Sequence, residues 1–232
     1  QMRCLRRGSR AALMGRYPVK RDRITATQLA DFWRCHRKAW FTDRLPGERR
    51  DPLTPVQRRI MDEGNAHEAR LIGTIPGVVS LDARRDGFDA VFAKTCEHME
   101  RGTPAIHHGL LLKKEAGLTW LAEPDLLEKV EEAPLQGSSR FGHSYYRVSE
   151  IKNSPRASAS HLVQLALNAW ILEDLQGSAA GTAEAGSGPQ AEKGMGGVVH
   201  RIVDHDRNST PVRLAEFSSL LARLREDCVE AL

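Results

Sequence analysis

The sequence predicts an α/β domain, with a mixed central β-sheet flanked by α-helices. Three observations carry this reading. Apolar residues recur at helical spacing in residues 25–41, 54–72, 87–101, 158–172 and 217–231. Strand-like runs lie at 105–113, 118–130 and 145–152, and a closing pair at 198–203 and 211–216. The 232 residues, 41% of them hydrophobic, suffice for one domain with a sizeable core, with or without appendages.

The first stretch, residues 1–23, stands apart. It holds eight Lys/Arg and the single acid Asp22, about +7, and lacks apolar periodicity, so it reads as a basic, disordered tail. The remaining 26 basic and 29 acidic residues give about −3 against the formal net charge of +4 for the whole chain. The folded part is therefore not a globally basic nucleic-acid binder, and any phosphate-binding groove has to be local. No apolar run approaches a membrane span, and the N-terminus lacks the apolar core of a secretory signal. Cys4, Cys35, Cys96 and Cys228 are scattered without a CxxC pair, as expected for reduced thiols of a cytoplasmic protein.

The domain, residues 24–232, opens with Thr25 as a helix cap and Gln28 in the capping-box position. Leu29, Phe32, Trp33, His36 and Trp40 follow at helical spacing and read as one core-facing stripe. Thr54-Pro55 starts a second helix, whose one face carries Val56, Ile60, Gly64, His67 and Leu71. A short strand is expected around Val78, Val79 and Leu81, then a helix through Phe88, Val91, Phe92, Thr95 and Met99 that Gly102 ends. Strands 105–113, 118–130 and 145–152 are expected to form an antiparallel meander, with a polar loop at 133–144. His107 and His108 lie in its first strand, and no metal-ligand partner is spaced to support them. Ser158 or Ser160 caps the next helix, which carries an apolar stripe (Leu162, Leu165, Ala166, Ala169, Leu172) and a polar one (His161, Gln164, Asn168). Residues 177–197 form a low-complexity insertion expected to be flexible. A closing hairpin with a turn over Asp204 to Thr210 and a last helix over 217–231 complete the chain. The initial Gln1 and the end within or just after that helix read as a piece cut from a longer parent.

Chemistry concentrates between Trp120 and Trp170. Pro124-Asp125 is followed 25 residues on by Glu150-Ile151-Lys152. Glu150 and Lys152 are two positions apart, so on a strand they share a face, roughly 6.5 Å apart at the backbone. Two carboxylates on neighbouring strands with an ammonium beside them make a divalent-metal site, and such a metal carries a water nucleophile and neutralises phosphate charge. Taken alone the tripeptide is an ordinary strand ion pair, and His67 on a buried stripe is an ordinary core histidine.

The ordered set of His67, Pro124-Asp125, Glu150-x-Lys152 and Gln164 resembles the RecB-like branch of the PD-(D/E)XK nucleases. Residues 24–41, 63–72 and 94–112 look like further blocks of that branch in the right order, so the resemblance covers roughly 24–232. It implies a restriction-endonuclease-like core and hydrolysis of DNA phosphodiester bonds, exonuclease-like on single-stranded ends. Asp125 and Glu150 would hold one or two Mg²⁺ or Mn²⁺ ions, with the backbone carbonyl of Ile151 and His67 completing the shell. His67, in Gly64-x-x-His67-Glu68, matches the branch's first motif, and its imidazole suits Mn²⁺ better than Mg²⁺. Glu68 would be a surface or supporting residue. Lys152 would orient the water or stabilise charge on phosphorus, and Gln164 would position Lys152 or the phosphate. Asn168 stands where the branch carries a tyrosine. Some members ligate a four-iron cluster through a cysteine in the position of Cys35 and three more near the end of the nuclease domain; here only Cys228 lies there, so no iron-sulfur cluster is expected from these residues alone, and Cys35 would serve as a ligand only in a longer parent with further domains. The alternative from another class is a nucleic-acid-binding or scaffold domain of the same fold without cleavage, favoured by Asn168 and the acidic remainder and opposed by the complete Asp125, Glu150 and Lys152.

Overall fold

A computed structural model of the chain describes residues 22–44, 51–130, 139–177, 199–204 and 206–231. Nearly all of the basic tail, part of the polar loop and almost all of the low-complexity insertion lie outside the described residues. The fold is α/β, with two sheets and helices packed on them. A mixed six-stranded sheet runs in the order β2-β3-β6-β7-β8-β9, and a three-stranded sheet in the order β1-β5-β4. In chain order the strands are β1 (Arg23–Thr25), β2 (Val78–Ser80), β3 (Ala105–His107), β4 (Leu111–Glu115), β5 (Leu118–Ala122), β6 (Leu126–Val130), β7 (Tyr145–Ile151), β8 (Val199–Val203) and β9 (Ser209–Arg213). The helices are α1 (Ala26–Arg34), α2 (His36–Arg44), α3 (Pro55–Ile72), α4 (Ala83–Asp86), α5 (Phe88–Glu100), α6 (Ala159–Gly177) and α7 (Ser218–Ala231).

The folded part begins two residues earlier than charge alone implied. The carbonyl of Asp22 accepts from Thr119 N–H at 2.7 Å, and Arg23 pairs with Thr119 in parallel register. The expected capping box of Thr25 with Gln28 opens α1, and α3 starts as expected with Pro55 at its first position, where the structure adds a second box of Thr54 with Gln57. The single stripe expected from Leu29 to Trp40 breaks in two. Cys35 is extended at φ −166°, so α1 ends there, and Trp33 is 42% exposed while Leu29 and Phe32 are buried.

The expected face of α3 is also mostly bare. Val56 and Ile60 are 68% and 62% exposed, and only His67 and Ile72 are buried. The helix is about 27 Å long, and only its C-terminal end packs on the sheet, where Leu71 and Ile72 meet Ala105, Leu126 and Ile151.

The three-stranded meander becomes something more articulated. The first two expected strands form one long hairpin whose arms both break at the same level. β3 and β6 pair antiparallel in the large sheet, while β4 and β5 pair antiparallel in the small one. On one arm His108 takes φ 53° and Gly109 follows, where an added Cβ would sit 2.9 Å from Leu127. On the other arm Pro124 has no N–H to offer a ladder. The arms stay in touch at the break through His108 N–H and the carbonyl of Asp125, 3.3 Å apart. The break is thus where Asp125 is set.

β6 and β7 are antiparallel and β7 and β8 parallel, so β7 is central and buried on both faces. The predominantly apolar α6 covers it and also packs on α1, β4 and β5. Gln176 of α6 clips onto β7 as a strand would: its Oε1 accepts from Tyr146 N–H at 2.6 Å, and its Nε2 donates to the Tyr146 carbonyl at 3.1 Å. His200 does the same from β8. Its Nδ1 accepts from Val148 N–H at 3.1 Å, which leaves the proton on Nε2, 3.2 Å from Glu173. These clips fix the register of β7 under α6. No helix among the described residues is long and apolar enough to cross a membrane.

Candidate active site

Asp125, Glu150 and Lys152 converge. Lys152 Nζ donates to Asp125 Oδ2 at 3.0 Å and to Glu150 Oε2 at 2.8 Å. Asp125 comes from the break before β6, Glu150 from the penultimate position of β7, and Lys152 from the residue just past it. Asp125 Oδ2 also accepts from Ile151 N–H at 2.7 Å, so the backbone of the tripeptide aims the first carboxylate. Asn168, from α6, donates to Glu150 Oε1 at 2.6 Å. Glu150 is thus gripped on both oxygens, one by the ammonium and one by an amide.

The three groups differ in depth. The Glu150 side chain is 4% exposed, against 17% and 20% for those of Asp125 and Lys152. Burial and then the nearby charge of Asp125 push the Glu150 carboxyl up to about 7, against the pull of Lys152. Burial disfavours the Lys152 ammonium, but Glu150 and Asp125 outweigh it and raise its pKa. Two acids and one base leave a net charge of −1 in a largely dry recess, an arrangement that a cation would relieve.

The other expected site residues fall into place unequally. His67 is buried, and its Nε2 has no hydrogen-bond partner among the described residues. A buried ring nitrogen without a partner is costly unless a ligand satisfies it. Gln164 is not on Lys152: its amide reaches Thr27 Oγ1 of α1 at 3.5 Å, at the seam between the two helices. The carboxamide on the acidic pair is instead Asn168, one helical turn further along. Its sequence signal was its setting, an asparagine amid Leu165, Leu167, Ala169 and Leu172. The expected polar stripe is therefore divided: His161 and Gln164 are half-buried, and Asn168 is buried. Burial, then the charges of Lys152 and Arg34, hold the His161 imidazole below its ordinary pKa, so Lys152 and Arg34 both lie within electrostatic reach of His161. Cys35 is exposed and Cys228 buried.

A second cluster was invisible at sequence level. Glu68 Oε1 lies 2.8 Å from His107 Nε2 and 3.1 Å from His108 Nε2. Hydrogen bonds from His107 and then His108 hold the Glu68 carboxyl down to about 2. Glu68 therefore links α3 to the sheet, a closer structural role than a surface residue has. The partner that the histidine pair lacked in sequence lies 39 residues upstream and is supplied by the fold.

A scan against protein-family models finds no match to the chain, and a search of curated proteins finds no matching relative.

Proposed function

We propose that the chain is a divalent-metal-dependent deoxyribonuclease of the RecB-like PD-(D/E)XK type, with a restriction-endonuclease-like core, acting in the cytoplasm on single-stranded DNA ends. One observation carries the reading. Asp125, Glu150 and Lys152, expected to act together from their spacing, meet within 3.0 Å of a common ammonium. Two carboxylates with a surplus negative charge suit Mg²⁺ or Mn²⁺, and His67 offers a buried imidazole nitrogen without a partner among the described residues. Asp125, Glu150 and the Ile151 carbonyl would hold the ion, with His67 as a further donor that favours Mn²⁺. A bound ion supplies an acidified water and neutralises phosphate charge.

The residues of the chain do the rest. Ile151 N–H and Asn168 orient the two carboxylates before any ligand arrives, which lowers the cost of ordering the site. Lys152 keeps its proton, so it acts as a hydrogen-bond donor and point charge toward a phosphoryl oxygen, not as a base. Its third N–H is left for that oxygen after Asp125 and Glu150 take the other two. Arg34 supplies a local positive charge beside His161, whose lowered pKa keeps its imidazole neutral at pH 7, in a domain that is slightly acidic as a whole.

The test combines Mn²⁺ calorimetry with a single-stranded DNA degradation assay. Wild type is expected to bind Mn²⁺, degrade the strand and stop in EDTA. Asp125→Asn and Glu150→Gln, which keep shape and remove charge, are expected to lose both activities. A wild-type protein that binds DNA yet neither binds Mn²⁺ nor cleaves would point to the non-catalytic scaffold instead.

A further inference from the structure

We propose that Glu68, His107 and His108 form a separate cation site that takes one borderline divalent ion of the Zn²⁺ class. The carboxylate oxygen and the two ring nitrogens all lie within 4.8 Å of one another. Ligands around tetrahedral Zn²⁺ sit about 2.0–2.2 Å from the metal, hence roughly 3.3–3.6 Å from each other. The present Glu68 contacts of 2.8 and 3.1 Å need open by only a few tenths of an ångström to admit an ion in place of the shared protons.

The backbone brings the two rings together against the habit of a strand. Successive strand residues point to opposite faces. β3 ends at His107, and His108 adopts φ 53°, so the second ring swings back onto the side of the first. Histidine tolerates this left-handed region better than most residues. The ring centroids are 3.9 Å apart at 47°. Two imidazoles held this close, both aimed by Nε2 at one oxygen, form a three-point donor set.

The outer shell is also in place. A ligating histidine donates its other ring N–H to a fixed acceptor. His107 Nδ1 lies 3.0 Å from Ser80 Oγ. His108 Nδ1 lies 3.6 Å from Glu123 Oε1 and has no hydrogen bond among the described residues, so a small movement would give it a carboxylate acceptor. Ser80 and Glu123 thus stand behind the two rings as supporting groups. Two imidazoles and one carboxylate select Zn²⁺ over Mg²⁺, and three protein ligands leave one position for water.

The site joins α3 to the paired strands β2 and β3, which that helix otherwise touches sparingly. Glu68 comes from α3, Ser80 from β2 and His107 from β3. An ion there would fasten the lightly packed α3 to the sheet, next to His67 and next to the hairpin break that sets Asp125.

The test is a Zn²⁺ titration by calorimetry in the Glu150→Gln background, which disables the carboxylate pair and makes the two sites separable. One saturable Zn²⁺ per chain is expected. Adding Glu68→Gln or His107→Ala should weaken it more than about 100-fold, and Ser80→Ala by about 10–100-fold, the usual cost of an outer-shell partner. X-ray absorption at the zinc edge should show two imidazoles. If His107→Ala fails to fold, Glu68→Gln, which keeps its shape, decides alone. Loss of Zn²⁺ binding in Glu150→Gln itself would assign the ion to the carboxylate pair and overturn the proposal, as would affinity unchanged by Glu68→Gln. Absence of Mn²⁺-dependent cleavage in the wild-type protein, with this Zn²⁺ binding intact, would sink only the nuclease reading.

Discussion

Two ionic clusters share β7 and lie on its opposite faces. On one face Glu128 of β6 accepts from Arg147 at 3.2 Å, from Arg201 Nε at 2.9 Å and from the Ser149 hydroxyl. Glu128 and Arg147 are register partners, and so are Ser149 and Arg201. One acid serves two bases, and although burial resists its charge, Ser149 and Arg201 bring the Glu128 carboxyl below its ordinary pKa. On the other face two acids share one base, and the Glu150 carboxyl is raised. The first cluster is satisfied as it stands. The second carries a buried surplus charge, the feature that the proposed metal site rests on. The sign of the carboxylate shift separates the two clusters; the presence of an ion pair does not.

The largest effect expected from this difference is catalytic. Lys152→Ala should lower strand cleavage by about 10²–10³-fold, the scale of removing one aimed donor from a developing charge. Mn²⁺ affinity should hold or rise, because both carboxylates remain and their internal counter-cation is gone. Cleavage rates beside calorimetry read the split. A variant that loses metal binding in step with rate would show that the ammonium holds the carboxylates rather than the phosphate.

The second effect is on stability, and the two faces should respond with opposite sign. Glu128→Gln strips the shared acceptor from two arginines and should cost about 1–3 kcal/mol, a fall in Tm of a few degrees for each kcal/mol. Glu150→Gln should be neutral or stabilising in metal-free buffer at neutral pH. It removes the buried surplus charge, and Asn168 can accommodate the new amide by turning over, because its Oδ1 is buried without a partner among the described residues. Thermal melts in EDTA decide the sign. A large loss in Glu150→Gln would make the second cluster structural too.

How much of this was legible beforehand follows the same division. Asp125, Glu150 and Lys152 could be paired from spacing because residues two apart on a strand share a face and the next strand must lie beside it. The Thr25 capping box was legible because it is written within four residues, and the start of α3 because Thr54-Pro55 marks it. Contacts that depend on where a helix lands were not. Asn168 and Gln164 are equally polar on the page, and only the pitch of α6 over β7 puts one on Glu150 and the other against α1. Glu68 could not be joined to His107 and His108 because the link needs α3 docked on the sheet and the reversed backbone at His108. The split of the long hairpin into two sheets was missed because neither Gly109 nor Pro124 was taken as a strand break, and the two breaks coincide only in space. The apolar face of α3 was overread: periodicity gives a stripe but not how far a neighbour reaches along it.

A third, smaller effect is pH dependence without metal. The Glu150 carboxyl is raised from its ordinary 4.5 to about 7, so the folded state holds its proton longer than the unfolded chain does. Its contribution is therefore lost as pH climbs from about 4.5 to about 7, and is level above that. Glu68, held down to about 2, acts the other way: its contribution is present above 4.5 and lost as pH falls toward 2. Melts in EDTA between pH 5 and 7.5 should show a decline that Glu150→Gln removes in part. An identical slope in the two proteins would mean that the Glu150 carboxyl ionises as readily folded as unfolded.

The smallest effect is expected at Gln164, and it sharpens the comparison within α6 itself. Gln164 and Asn168 are one turn apart, but only Asn168 touches the acidic pair. The Gln164 amide sits 3.5 Å from Thr27 Oγ1, the far limit of a hydrogen bond, and is open enough for water to replace that contact. Gln164→Ala should leave Mn²⁺ affinity unchanged and slow cleavage less than about tenfold, because no net hydrogen bond worth more than about 1 kcal/mol is lost. Asn168→Ala should do more. It leaves Glu150 Oε1 buried without a donor, which disfavours the carboxylate, so Mn²⁺ binding should weaken and its pH midpoint should move up. Measured together, the two variants rank the helix positions. If Gln164→Ala abolishes cleavage while Asn168→Ala is harmless, then Gln164 turns from Thr27 to the scissile phosphate once DNA is bound, and α6 serves the substrate rather than the carboxylates.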